Sequence, residues 1–324
     1  MESVLKTIVY YDCLDYPLTF EELRFFSFKG GQKEISDSLG SLIKKGLIEE
    51  SNGFYFLKAR KNLIEIRNER NQIAKEKWQK TFKAVQWLRM IPYLRAVFAS
   101  GSLALANTSK ESDLDVLVAV KHGRIWTARI LVVLFLSFLG IRRTRYEKIA
   151  PDKICLNHFI TDKSLYIPRK SIYTAQLYAR LVPILVDDQE LINQFCEANK
   201  WIGDYVVGWP ECLKTLNPKL ETLNKLKTQN SKLKTFGEKI LDTKFGDWLE
   251  NILRKYQLRR INSFHLTHKP GGRVKADDES LEFHPDSPEL KIIERYNKKM
   301  IELGFEGLAK EADSGLTRAN NYAI

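Results

Sequence analysis

Apolar positions follow two periods along the chain, and the changes of period mark the elements. Val4 to Cys13 has helical spacing and stops near Tyr16-Pro17. Thr19 is placed to cap a second helix from Phe20, with Glu21 and Glu22 in its first turn, where the helix dipole favours acids. After Gly30-Gly31, Lys33 to Lys45 sets Ile35, Leu39, Leu42 and Ile43 on one helical face, and Gly46 ends that helix. Leu47 to Glu50 and Phe54 to Leu57 read as strands around Ser51-Asn52-Gly53, and Asn-Gly is a strong hairpin signal. Three helices and a hairpin predict a winged helix over residues 1–58.

Arg60 to Arg89 is a long, highly charged helical stretch ending before Pro92, read as a connector. Leu94 to Ser100, Leu114 to Val120 and Lys153 to Ile160 read as strands, and Trp126 to Gly140 as an apolar helix. This order predicts a small mixed-sheet core over 59–168. Beyond it the periodicity is mainly helical: Ile172 to Val186, Gln189 to Val206, Pro218 to Thr228, Lys234 to Arg260 and Ser287 to Leu303. Lys269 to Pro288, rich in Gly, Pro and acids, reads as a loop. Residues 169–324 are therefore expected to form a mainly helical region, and the fold class is α+β.

Composition alters this picture in one place. The chain has 324 residues and a formal charge of +12, and Lys214 to Lys275 holds 15 basic against 5 acidic side chains. Region 214–275 is thus a candidate surface for nucleic acid, nucleotide phosphates or an anionic membrane, although a solvated helical face accounts for it as well. The third helix of the first unit is a poor DNA reader. Its early positions include Glu34 and Asp37, which oppose a phosphate-lined groove. The four cysteines form no Cys-x-x-Cys pair, so neither a zinc site nor a disulfide framework is suggested. Ile130 to Leu139 is too short for the roughly 20 residues of a membrane span. Without a basic and apolar leader, the chain is expected in the cytoplasm, with no transmembrane segment.

The chemistry concentrates in Phe98-Ala99-Ser100-Gly101-Ser102-Leu103-Ala104 and Ser112-Asp113-Leu114-Asp115-Val116-Leu117-Val118. A strand running into Gly-Ser and a helix leaves backbone amides that suit phosphate oxygens, with Gly101 admitting close approach and Ser102 adding a hydroxyl. Asp113 and Asp115 sit two apart at a strand start, so their carboxylates share a face. Two convergent carboxylates repel unless a cation lies between them, and hard oxygen ligands select Mg²⁺ or Mn²⁺.

Gly-Ser followed after a spacer by Asp-x-Asp on a strand resembles the DNA polymerase β-like nucleotidyltransferase superfamily. Asp15-Tyr16-Pro17-Leu18-Thr19, Ile125-Trp126 with Arg129, Lys153-Ile154-Cys155-Leu156-Asn157 and Leu281-Glu282-Phe283-His284-Pro285 further resemble a bacterial family described only as nucleotidyltransferase-domain proteins. The resemblance implies a short mixed sheet flanked by helices, Mg²⁺ on Asp113 and Asp115, and nucleoside triphosphate phosphates near Gly101 and Ser102. It also implies a third carboxylate on the strand after the intervening helix. Here that strand offers Asn157 as a weak metal ligand and His158 as a base, on opposite faces, so that only one of them should line the site. Glu147, Asp152 and Asp162 are nearby acids that could substitute.

The expected site therefore comprises Asp113, Asp115 and His158 in catalysis, Asp113, Asp115 and Asn157 on the metal, and Gly101, Ser102, Ser112 and Arg143 on the nucleotide. Arg142, Arg143, Arg145 and Lys148 form a basic cluster suited to triphosphate or to an anionic acceptor. The acidic loop with His284 and Asp286 could close over the site. The reading is transfer of a nucleotidyl group from a nucleoside triphosphate to an unknown acceptor. Its alternatives are a catalytically degenerate nucleotide-binding or scaffold protein, and a winged-helix DNA-binding regulator.

Overall fold

The structure is a computed structural model that describes residues 1–215, 232–269 and 272–305. Helix α1 (Glu2–Asp12), a two-residue strand β1 (Leu18–Thr19), α2 (Phe20–Phe26) and α3 (Gln32–Lys44) precede the hairpin β2 (Ile48–Ser51) and β3 (Phe54–Leu57). Local chemistry explains each boundary. Thr19 and Glu22 form a reciprocal capping box at the start of α2. Gly46, at φ +65°, lets the chain turn out of α3, and Asn52 and Gly53 both take positive φ in the hairpin turn. β1 pairs with β3, a third strand that the sequence pattern did not predict.

Helix α4 (Leu63–Gln86) leads to β4 (Leu94–Ala99), the short α5 (Gly101–Ala104), β5 (Leu114–Val120), α6 (Ile125–Phe138) and β6 (Ile154–Thr161). Then come α7 (Ile172–Ala179), β7 (Val182–Val186), α8 (Gln189–Ala198), α9 (Glu211–Thr215), α10 (Lys232–Leu241), α11 (Lys244–Asn262), β8 (Arg273–Ala276), β9 (Ser280–His284) and α12 (Glu289–Glu302). The chain is a mixed α/β protein. Its larger sheet has the order β7-β4-β5-β6-β9-β8, with β5 and β6 parallel and the other neighbours antiparallel.

Alternation along β4 and β5 serves two cores. Val97, Val116, Val118 and Val120 pack with Trp78 of α4 and with Trp126 and Val132 of α6. Phe98, Leu117 and Ala119 share the other core with α7, α8, α12 and the first unit, through Leu5, Leu39 and Ile293 among others. Glu250 of α11 accepts from the Trp126 and Thr127 amides, which satisfies donors that the start of α6 leaves open. Among the described residues no helix is long and apolar enough to cross a membrane.

Four expectations need correction, the first being Gln189 to Val206, where α8 ends at Ala198 and a short 3-10 turn follows. Ile172 to Val186 is not one helix: α7 stops at Ala179 and Val182–Val186 is an edge strand on β4. Branched side chains favour the strand, and Pro183 is tolerated there because an edge leaves one side of the backbone unpaired. Lys269 to Pro288 is not simply a loop, because β8 and β9 form a hairpin that extends the sheet beyond β6. Lys234 to Arg260 is two helices, broken where Thr243 is extended. The helix expected from Pro218 to Thr228 and part of basic region 214–275 lie outside the described residues.

The first unit is clamped to α4 and to the end of α7 by Glu22. Its carboxylate accepts from Tyr16 Oη at 2.5 Å, the Thr19 amide at 3.0 Å and both terminal nitrogens of Arg67 at 2.8 and 3.1 Å. Arg180, just after α7, lies 3.6 Å from Glu22 and stacks over Phe26. Burial alone would raise the Glu22 carboxyl, but Arg180 and Arg67 lower it to about 2. A lowered folded pKa contributes stability above the unfolded value of about 4.5, and that share is lost as pH falls towards 2. Glu22→Gln is expected to cost about 3 kcal/mol at neutral pH, the scale for breaking a buried ion pair. Urea unfolding should show this deficit shrinking as pH drops below the unfolded value. A pH-independent deficit would assign the loss to packing.

Candidate active site

β4 ends at Ala99, Ser100 is extended, and Gly101 takes φ +64° into α5. A Cβ on Gly101 would lie 2.6 Å from Asp115 Oδ2, so this turn accepts only glycine without displacing the carboxylate. The Ser100 amide donates to the Asp115 carbonyl at 3.0 Å, which holds the turn against β5.

Asp115 pairs with Cys155 across the parallel β5–β6 ladder. Oxygens of Asp113 and Asp115 and the Cys155 sulfur all lie within 4.8 Å of one another, the one group of at least three such ligands among the described residues. A single cation could be held there. Arg143 Nη1 donates to Asp113 Oδ2 at 2.5 Å, and Asn157 Nδ2 donates to Asp115 Oδ1 at 2.7 Å. Burial, and then the charge of Asp113, push the Asp115 carboxyl up to about 7, against the pull of Arg143 and Asn157. Burial, Asp115 and Asp113 push the Cys155 thiol far up as well.

These groups open on a cavity of about 320 Å³. Asn157 and His158 both line it, contrary to the alternation argument. The reason is a bulge. Asp115 faces Cys155 but Leu117 faces His158, so β6 carries one extra residue at this point and its parity shifts. His158 is buried, with Nδ1 2.8 Å from Tyr178 Oη and Nε2 3.5 Å from Ser280 Oγ. Burial lowers it to about 4, with Glu282 opposing, so the ring is neutral at pH 7. Phe283, His284, Pro285 and Asp286, from β9 and the turn after it, form another wall.

The remaining site residues are distributed unevenly. Gly101 lines the cavity, whereas Ser102 is half-buried in α5 beyond its wall. Ser112 is committed to its own turn: its Oγ accepts from the Ser109 amide at 3.1 Å, and its carbonyl accepts from Lys77 at 2.8 Å. Arg143 reaches the cavity but is held by Asp113. Asn157 presents an amide donor to Asp115 rather than its carbonyl oxygen. The three substitute acids are engaged elsewhere: Asp152 with Lys77 and Lys80, Glu147 with Lys153, and Asp162 with the His122 amide. Cys155 and Tyr173 are cavity residues that sequence reasoning missed. For Cys155 a signal existed, since it stands two positions before Asn157 on one strand. Comparison with protein families, curated proteins and solved structures finds no match for the chain.

Gly101→Ala is expected to cost more than Gly53→Ala. Both positions have positive φ, but a Cβ at Gly53 meets nothing within 4 Å. Equal losses in thermal unfolding would remove the steric role assigned to Gly101. A raised folded pKa at Asp115 favours the fold below the unfolded value and loses that contribution as pH rises through about 7. Asp115→Asn is therefore expected to melt several degrees above wild type at about pH 8 in metal-free buffer, and level with it at about pH 4, near the free carboxyl value. No gain at the higher pH would show that the paired carboxylates carry no strain.

Proposed function

We propose that the chain is a divalent-metal-dependent nucleotidyltransferase, with a winged helix as its first unit. The observation that supports this best is the close packing of the Gly101 turn, Asp113, Asp115 and Cys155 around one cavity, at one end of three adjacent strands. In this reading Asp113 and Asp115 hold Mg²⁺ or Mn²⁺, and Cys155 takes the corner where the resemblance implies a third acid. The set fits a cation, because burial and mutual repulsion leave the two carboxylates short of positive charge. When bound, the metal supplies charge that offsets the negative charge gathering on phosphoryl oxygens.

The chain's own residues supply position. The backbone at Ser100 and Gly101 admits a phosphate close to β5, because no Cβ intervenes. Arg143 neutralises Asp113 in the metal-free protein and is placed to turn to the triphosphate once a cation takes over that role. Asn157 fixes the orientation of Asp115. His158, neutral and tied to Tyr178, shapes the cavity floor, while His284 and Asp286 face the reaction space from the other wall. A DNA-reading role fits α3 less well, since Glu34 and Asp37 are exposed on it beside Lys33.

Calorimetric titration with the four nucleoside triphosphates and Mg²⁺ or Mn²⁺ tests this reading. Metal-dependent binding is expected in the wild type and should vanish in Asp113→Ala/Asp115→Ala. If folded wild type binds no triphosphate with either metal, the transferase reading fails.

A further inference from the structure

Three arginines of this part of the fold have a carboxylate. Arg143 pairs with Asp113, Arg273 with Glu282 and Glu289, and Arg254 with Asp278. Arg129, Arg142, Arg145 and Arg260 do not. Their contacts are neutral: Arg129 donates to Gln257 at 2.5 Å, Arg142 to Ser137 at 2.6 Å and Arg260 to Tyr256 at 3.4 Å, while Arg145 lies 4.5 Å from the Phe264 ring centroid. None of the four makes an ion pair among the described residues. Glu147, the acid that acts on Arg142, is bonded to Lys153. The four guanidiniums repel one another. Burial and then Arg142, Arg145 and Arg260 push Arg129 down to about 10. Arg129 Nε is also closed off from solvent with no hydrogen-bond partner. Four uncompensated cations, one with an idle buried donor, call for an anion.

The cluster adjoins the candidate active site. Arg142 is the chain neighbour of Arg143, which lines the cavity, and Arg129 stacks 4.9 Å from the ring centroid of Phe283, which lines another of its walls. Rings stand among the cations: Tyr146 and Tyr256 are exposed, and Phe264 packs on His265 with centroids 4.7 Å apart. Guanidiniums interleaved with rings suit a chain of phosphates that carries stackable bases.

We infer that Arg129, Arg142, Arg145 and Arg260 bind the phosphates of a single-stranded nucleic acid and lead its end into the Asp113–Asp115 cavity. As an acceptor site this rests on the transferase reading, but the binding itself does not. It is measured without nucleotide or divalent metal, so failure of either leaves the other standing.

The test is fluorescence anisotropy of the full chain with a labelled RNA of about 12 nucleotides, across a salt series. Arg145→Ala/Arg260→Ala removes two exposed members and leaves Arg129 in place, and circular dichroism checks the fold. Lys239→Ala/Lys255→Ala removes the same charge from exposed positions on α10 and α11. The arginine variant should lose at least about tenfold in affinity and flatten the slope of log K against log salt by about 1.4, the value for two phosphate contacts on a single strand. The lysine variant should change less than about threefold. Equal losses in the two variants, or no RNA binding by wild type, would overturn the inference. So would tighter binding to phosphatidylserine vesicles than to RNA with the same dependence on Arg145 and Arg260.

Discussion

Asp115 sits between two strands that leave it no freedom. On the β4 side the Gly101 backbone presses within contact distance of its carboxylate, and on the β6 side Asn157 and Cys155 meet it. Asp113, two residues earlier, keeps its own charge nearby, relieved by one guanidinium. A flexible pair would separate and hydrate, whereas this pair is held together by backbone pairing and the missing Cβ. Arg143 answers that fixed charge pair directly, and the cavity opens beside it.

The sheet explains why the site is enclosed. β4, β5 and β6 carry the charged residues, but the far wall comes from β9 and the turn after it, late in the chain. Arg273, buried on β8, bonds Glu282 of β9 and Glu289 of α12, so this wall is tied to the helix behind it. Glu289 also accepts from Ser171, the residue that caps α7. Tyr173 and Tyr178 of α7 line the cavity, and one buried polar chain thus holds two of its sides.

What could be read from sequence was mostly what is local. The Thr19–Glu22 capping box, the Asn52-Gly53 turn and the period-2 placing of Asp113 and Asp115 depend on residues a few positions apart, and each formed as expected. The errors involve partners distant along the chain. Val182–Val186 followed a helical run without a break, and only its pairing with β4 makes it a strand. Cys155 was passed over because its importance depends on the register between β5 and β6, and Asn157 and His158 were taken as alternatives when both line the cavity, because one bulge resets that register. The basic character of 142–145 was plain in sequence. The division of Arg143 to Asp113 and of Arg142 and Arg145 to a cluster without ion pairs among the described residues requires coordinates.

The strand order has a consequence for how the chain assembles. β4 to β6 form the middle of the larger sheet, yet both outer neighbours, β7 and the β8–β9 hairpin, are encoded much later. A ribosome therefore releases the central strands well before the segments that cover their open edges. Contacts so far apart in sequence close slowly, and apolar strands such as Val116–Val120 with free backbone groups are a risk for aggregation meanwhile. The first unit, whose small sheet closes within sixty residues, can form early and offer its apolar side as a surface for the nascent β4–β5 pair.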